Sequence, residues 1–298
     1  MEKSLPSRFY RDVPQEALDR LISFRRKYPY RTQVIDGIEW RFIDTLQGDR
    51  ALLVLPGATT VAEISFQTLE HLAQSRRVIA PDYPPLNKLQ PLFEGLLTLL
   101  DTLHVKEFDL LGGSYGGWMA QSLLLDASER IGKVVVSAVG LPNPENSLQL
   151  AKMMRWMQWM PTFLLKALIN RSFARLDSSE ASQGPDTALL WAMVREVMTT
   201  RVTRADILAL LTRLIDQTDN FPFDEDPLHG WPGQMLLIFG SEDPATPADR
   251  REAMQRFYPQ AEVVVFEGGG HAMAITRQEE YFAALDSFLG ERSLQEER

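Results

Sequence analysis

With 298 residues, 45% of them hydrophobic and none a cysteine, the chain can bury a large single core, or a core plus an inserted subdomain, without disulfides. Its 40 acidic and 31 basic residues leave a formal charge of −9, so the long-range field repels phosphate backbones and nucleic acid is excluded as the expected partner. Met1 to Tyr10 carries no apolar signal core and no uncharged run approaches ~18 residues, so a cytoplasmic protein with no integral membrane segment is expected.

Gln15 to Lys27 places Ala17, Leu18, Leu21, Ile22 and Phe24 at helical spacing, then ends in basic Arg25-Arg-Lys27. Basic residues suit a helix carboxyl end, so this amino-terminal extension, residues 1–30, is expected to pack on its own domain rather than on a membrane or partner. Ile38 to Leu46 alternates Ile38, Trp40 and Phe42 against charged residues, as a half-buried antiparallel strand does. Ala51 to Leu55 is a continuous apolar run, the mark of a strand buried on both faces.

The pattern then alternates. Helix-like Ala62 to Gln74 precedes the strand-like Arg77 to Ala80, and helix-like Leu89 to Leu103 precedes Phe108 to Leu111. Lys133 to Ser137 is the next strand. Such alternation implies right-handed crossovers and a largely parallel sheet. From Leu141 to about Asp226 it stops: the composition is helical, Met153, Met154, Trp156, Met157, Trp159, Met160 and Phe163 crowd together, and Gly184-Pro185 breaks the run. Most of those side chains are expected to be helix packing, with an inner face that supplies an apolar wall for substrate from Met153, Trp156, Met157 and Met160. Alternation resumes with Met235 to Phe239, a helix over Pro247 to Tyr258, the strand Ala261 to Phe266 and a helix near Gln278 to Leu289, with Glu291 to Arg298 as a polar tail. Residues 1–140 and 227–298 are therefore expected to form one core domain, and 141–226 a helical cap or lid inserted into it.

Gly112-Gly-Ser114-Tyr-Gly116-Gly117 sits where strand turns to helix. A serine at so tight a corner is held in a strained backbone conformation, its hydroxyl above the helix amino end, which favours developing negative charge. Neither a dinucleotide fingerprint nor a phosphate loop fits the same residues, since Ser114 stands where the fingerprint needs glycine and no Gly-Lys-Ser/Thr follows. Ser114 is a candidate nucleophile, and it needs a base and an orienting acid.

Loops that follow parallel strands open on the same sheet edge as Ser114. Of four histidines, His71 falls inside a surface helix, His104 at a helix end and His229 just beyond the insertion, which leaves His271 in Gly268-Gly-Gly-His271-Ala-Met273 as base. Asp243, ahead of Pro244, is the expected acid, in competition with Glu242, Asp224 and Asp226. The backbone N–H of Tyr115 is one expected oxyanion donor and that of Ala58, in the loop after Leu55, the other; Thr59 and Thr60 are turn residues. Trp118, at the head of the elbow helix, and Met273, beside the base, complete the expected substrate contacts. No histidine pair has metal-ligand spacing and no cofactor is needed.

The order strand-Gly-Gly-Ser114-Tyr-Gly-Gly-helix, Asp243, Gly-Gly-Gly-His271 resembles the α/β-hydrolase superfamily from about Ile38 to Leu289. Arg26-Lys-Tyr-Pro29, Pro56 to Glu63, Arg77 to Pro84 and Pro161 to Lys166 are similar to its maspardin branch. The resemblance implies an α/β-hydrolase fold, a mostly parallel central sheet with helices on both faces and an inserted helical cap. The expected function is carboxylesterase-like cleavage of small or medium apolar acyl esters through an acyl-enzyme on Ser114. The same machinery serves thioesters, amides at a chain's amino end, lactones and C–C bonds, whereas relatives that open epoxides or remove halogen carry aspartate at the elbow. The maspardin branch also implies an alternative, a non-catalytic binding module, although members discussed that way have a degraded triad and His271 and Asp243 are both present here. Where many esterases have His-Gly after the third main strand, this chain has Pro56-Gly57.

Overall fold

The computed structural model of the chain describes residues 8–46, 48, 50–176, 184–221 and 231–290. Asp224, Asp226, His229, the expected 226/227 domain boundary and the polar tail 291–298 lie outside the described residues.

Helix α1 (Gln15–Lys27) precedes strands β1 (Arg31–Ile35), β2 (Ile38–Asp44) and β3 (Ala51–Leu55). A 3-10 turn over Ala62–Ser65 leads into α2 (Phe66–Leu72), and then follow β4 (Arg77–Pro81), α3 (Leu89–Thr102), β5 (Phe108–Gly113), α4 (Tyr115–Asp126) and β6 (Ile131–Ser137). Helices α5 (Pro144–Met157), α6 (Thr162–Leu176), α7 (Pro185–Thr200) and α8 (Arg204–Asn220) come next. The chain then returns to the sheet as β7 (Gln234–Gly240), α9 (Ala248–Phe257), β8 (Glu262–Phe266), α10 (Met273–Thr276) and α11 (Gln278–Gly290).

The eight strands form one sheet in the order β1-β2-β4-β3-β5-β6-β7-β8. Strand β2 runs antiparallel to both of its neighbours, β1 and β4, and from β4 to β8 every pairing is parallel. Strands β3 and β5 lie inside the sheet, and Leu52, Leu53 and Leu110 are fully buried between two apolar layers. On one face Leu96 of α3, Leu123 of α4 and Met254 of α9 close the core; on the other, Leu69 of α2, Leu285 of α11 and Phe24 of α1 do so. Two covered faces are the reason those strands read as unbroken apolar runs.

Strand β1 is not among the expected elements. It is an edge strand whose first four residues, Arg31 to Val34, are exposed, so it carries neither an apolar run nor an alternation to reveal it. With β1 outside it, β2 is paired on both sides and ends at Asp44 rather than Leu46. Helix α1 packs on the rest of this chain: Leu21 and Phe24 are buried, Arg20 pairs with Glu70, and Arg25 bridges Glu63 and Glu196 of α7.

Helices α5 to α8 stand between β6 and β7 in the chain and contain no strand among the described residues. Met157, Leu165, Val197 and Leu210 of these helices join the core layer that also holds Tyr115 and Met119, so these helices lie over the elbow side of the sheet.

Candidate active site

The carboxyl end of β5 supplies the first functional atom. Ser114 sits between β5 and α4 with φ 53° and ψ −123°, in the positive-φ region that side chains rarely occupy. The turn is this tight because the flanking glycines leave no room for a Cβ. One added to Gly112 would lie 2.1 Å from Gly116 O, and one on Gly116 would lie 2.3 Å from Leu55 O. The strain is held by hydrogen bonds, Ser114 N–H to Ser137 O at 2.9 Å and Gly117 N–H to Ser114 O at 2.9 Å.

His271 follows β8 and Asp243 follows β7. His271 Nε2 lies 2.9 Å from Ser114 Oγ, and its Nδ1 lies 3.0 Å from both Asp243 carboxylate oxygens. Residues 114, 243 and 271 thus meet as one hydrogen-bonded chain. In the tautomer whose Nδ1–H donates to the carboxylate, Nε2 is the acceptor that faces the Ser114 hydroxyl.

Asp243 is 2% exposed. Burial alone would raise its pKa, but the hydrogen bond and charge of His271, the Ala245 N–H at 2.8 Å and the Thr246 hydroxyl at 2.9 Å outweigh that and hold the carboxyl below its ordinary value. Glu242 points to solvent, so the choice between the two acids is made by burial. Thr246 was not legible as part of this arrangement; a hydroxyl three residues after the acid is a weak signal in any turn.

The other histidines stand elsewhere. His71 of α2 bonds Asp286 at 2.9 Å and stacks on Phe282, and His104 takes φ 59° in the turn after α3. Among the described residues no group of three or more His, Asp or Glu side chains is placed to hold a metal ion.

Two apolar cavities open beside Ser114. One, of about 260 Å³, is lined by Gly57, Ala58, Leu190, Trp191, Val194 and Met273 among others; the second, of about 350 Å³, by Tyr115, Trp118, Ile169, Ile207, Leu210 and Leu214 among others. Ser114, Ala58, Ala138 and His271 border both. Ala58 therefore stands at the cavity junction and Tyr115 begins α4, and no protein group accepts either backbone N–H among the described residues.

Trp118 lines the larger cavity and Met273 the smaller. The expected wall from α5 does not form: Met153, Trp156, Met157 and Met160 line neither. Met157 is buried in the packing of the insertion on the core, Met160 packs against the same layer, and Met153 and Trp156 face solvent. Among these four helices the walls come instead from α7 and α8, with Ile169 of α6. Ile207, Leu210, Leu211 and Leu214 recur at helical spacing and share a face, a signal present in the sequence but hidden by the more conspicuous Met and Trp cluster.

A model of the alpha/beta hydrolase family matches residues 52–285. Maspardin of Pongo abelii is 25% identical over 268 residues, covering 86% of this chain and 82% of that protein. The 2-hydroxymuconate semialdehyde hydrolase of Pseudomonas putida is 26% identical over 243 residues, covering 74% of this chain and 79% of that one. The crystal structure of a hydrolase from Pseudomonas aeruginosa PA01 superposes with a TM-score of 0.70 at 20% identity, over 88% of this chain and 99% of that chain.

Proposed function

The chain belongs to the alpha/beta hydrolase family, and from that premise we propose that it is a serine hydrolase cleaving esters of small to medium apolar acyl groups. The observation that carries this reading is the unbroken relay Ser114 Oγ, His271 Nε2 and Nδ1, Asp243 carboxylate, at 2.9 and 3.0 Å.

As Ser114 Oγ attacks the ester carbonyl, His271 Nε2 takes its proton, and Asp243 stabilises the imidazolium that forms. The carbonyl oxygen becomes an oxyanion held by the N–H groups of Tyr115 and Ala58, with the amino end of α4 adding a favourable field. His271 returns the proton to the leaving alcohol, and the acyl group stays on Ser114. Water, deprotonated by His271, then releases the acid.

The cavities support the substrate class. Two apolar chambers that meet at the nucleophile suit a molecule with two apolar arms, an acyl arm in one and an alcohol arm in the other. Helices α7 and α8 act as the cap over them.

A fluorophosphonate probe tests the assignment. Stoichiometric labelling at Ser114, abolished in Ser114→Ala, is the expected outcome; folded protein that takes no label is a binding module, and the catalytic reading fails.

A second reading, hydrolysis of a C–C bond, draws support from the Pseudomonas putida relative, whose name is that of such an enzyme. Turnover of 2-hydroxymuconate semialdehyde at a kcat/KM above that for p-nitrophenyl butyrate would favour it.

A further inference from the structure

The outward face of α5 and α6 has no use in the chemistry above and is built against the ordinary rule for a surface. Trp156, Trp159 and Phe163 are 79%, 82% and 70% exposed, and Leu148, Leu164 and Leu168 are exposed beside them. Of the ten large hydrophobic side chains exposed among the described residues, seven fall between Leu148 and Leu168, so they form a patch rather than a scatter. The inward faces of the same helices are apolar as well, with Met157 and Leu165 buried. A helix apolar on both sides is expected to be covered on both.

Charge identifies the cover. From Asn146 to Leu176 the sequence has five basic residues and no acidic one, in a chain whose formal charge is −9. Lys152, Arg155 and Arg171 of this segment are exposed. Leu148, Lys152 and Trp156 follow one another at four-residue spacing and therefore share a stripe of α5, so bases and apolar rings lie on one surface. A second copy of the chain is a poor fit, because a two-fold contact would set each basic segment against itself with no acid inside it to compensate.

We propose that the α5–α6 face docks on an anionic phospholipid surface. Trp and Phe enter at the headgroup boundary while Lys152, Arg155 and Arg171 meet lipid phosphates. The charge of the rest of the molecule is screened beyond about 8 Å at physiological salt, so the local basic patch governs the approach. Ile169, on the same helix as Phe163 and Leu168, lines the 350 Å³ cavity at Ser114, so docking brings that cavity's rim to the bilayer. Delivery of an acyl lipid from there rests on the ester reading; the docking itself does not.

Co-sedimentation of the full chain with vesicles of equal parts phosphatidylglycerol and phosphatidylcholine tests the proposal, with turnover of a short soluble ester and far-UV circular dichroism as controls. The wild type is expected to pellet with these vesicles, weakly with phosphatidylcholine alone, and less at about 0.5 M salt. Trp159→Ser with Phe163→Ser, and separately Lys152→Glu with Arg155→Glu, should each weaken partition by about tenfold or more without changing the controls. Should the apolar pair fail to fold, the charge-reversal pair carries the test alone. A wild type that stays in the supernatant, equal binding to neutral vesicles, or partition indifferent to the folded variants overturns the proposal. So does a stable dimer in sedimentation velocity, broken by the same substitutions without vesicle binding, which assigns the face to self-association.

Discussion

Arg213 Nε donates to the hydroxyl of Tyr115 at 2.7 Å, so a guanidinium from the helical insertion holds the residue that follows the nucleophile. Arg213 is fully buried, its Nη1 bonds Pro84 O and Leu86 O, and its guanidinium lies over the Tyr83 ring. Tyr115→Phe removes an acceptor from a buried charge and is expected to cost roughly 1–3 kcal/mol of stability. In Arg213→Met that charge is gone, so adding Tyr115→Phe to it should cost much less. Urea unfolding of the four proteins of this cycle measures the difference; equal costs in both backgrounds would mean that the two side chains are not coupled.

Gly240 and Gly269 join the acid loop to the base loop. A Cβ on Gly240 would lie 2.2 Å from Gly269 O, and Glu242 N–H bonds that same carbonyl at 2.9 Å. Gly240→Ala must push the loop after β8 away from the loop after β7. The expected result is a loss of roughly 1–3 kcal/mol in thermal stability and a kcat/KM for p-nitrophenyl butyrate reduced about tenfold or more, since the His271 ring moves with its loop.

Asp243→Asn keeps the shape and removes the charge that stabilises the imidazolium, so kcat should fall by roughly 10³ to 10⁴. The same variant tests the depressed pKa of Asp243. Because the folded value lies below the unfolded one, the unfolded chain takes up this proton first as pH falls. The stabilisation is whole above the unfolded value of about 3.9 and is lost as pH drops through the lower folded value. Melting temperatures measured from about pH 5 downward should therefore decline less steeply in Asp243→Asn than in the wild type.

The two chambers should be separable. Val194→Phe narrows the 260 Å³ cavity and Ile207→Phe the 350 Å³ one. Each is expected to lower kcat/KM about tenfold for esters long on one arm only, and to leave p-nitrophenyl acetate within about twofold. If both variants discriminate against the same arm, the assignment of arms to chambers is wrong.

Arg201, at the end of α7, reaches Glu63 at 3.1 Å and Asp82 at 2.7 Å, and Arg25 of α1 bonds Glu63 and Glu196. These bridges tie the insertion and the amino-terminal helix to the segment that follows Ala58. Burial raises the pKa of Asp82, and Arg201 opposes that rise. Arg201→Met leaves Glu63 and Asp82 short of a partner and should destabilise by roughly 3 kcal/mol in chemical unfolding, against a much smaller loss for an exposed basic residue such as Arg256.

By itself the amino-acid order determined what depends on local rules. Runs buried on both faces spell out β3, β5, β6 and β7, helical spacing spells out α1, and a serine between Gly112 and Gly116 spells out the elbow, because these depend on local chain geometry. Position after a strand pointed to His271 and narrowed the acid to Glu242 or Asp243 in the turn after β7. Edge strand β1, exposed along most of its length, had no burial to imprint a pattern on it. Tertiary packing decided the rest: which acid is buried, which carbonyl Gly269 presents to Gly240, and which insertion helices line the cavities at Ser114. Met153 and Trp156 looked like a pocket wall because composition records that a helix is apolar but not which way it faces. Only the docking of α7 and α8 over the sheet turned Val194, Ile207 and Leu210 inward and left the rings of α5 outside.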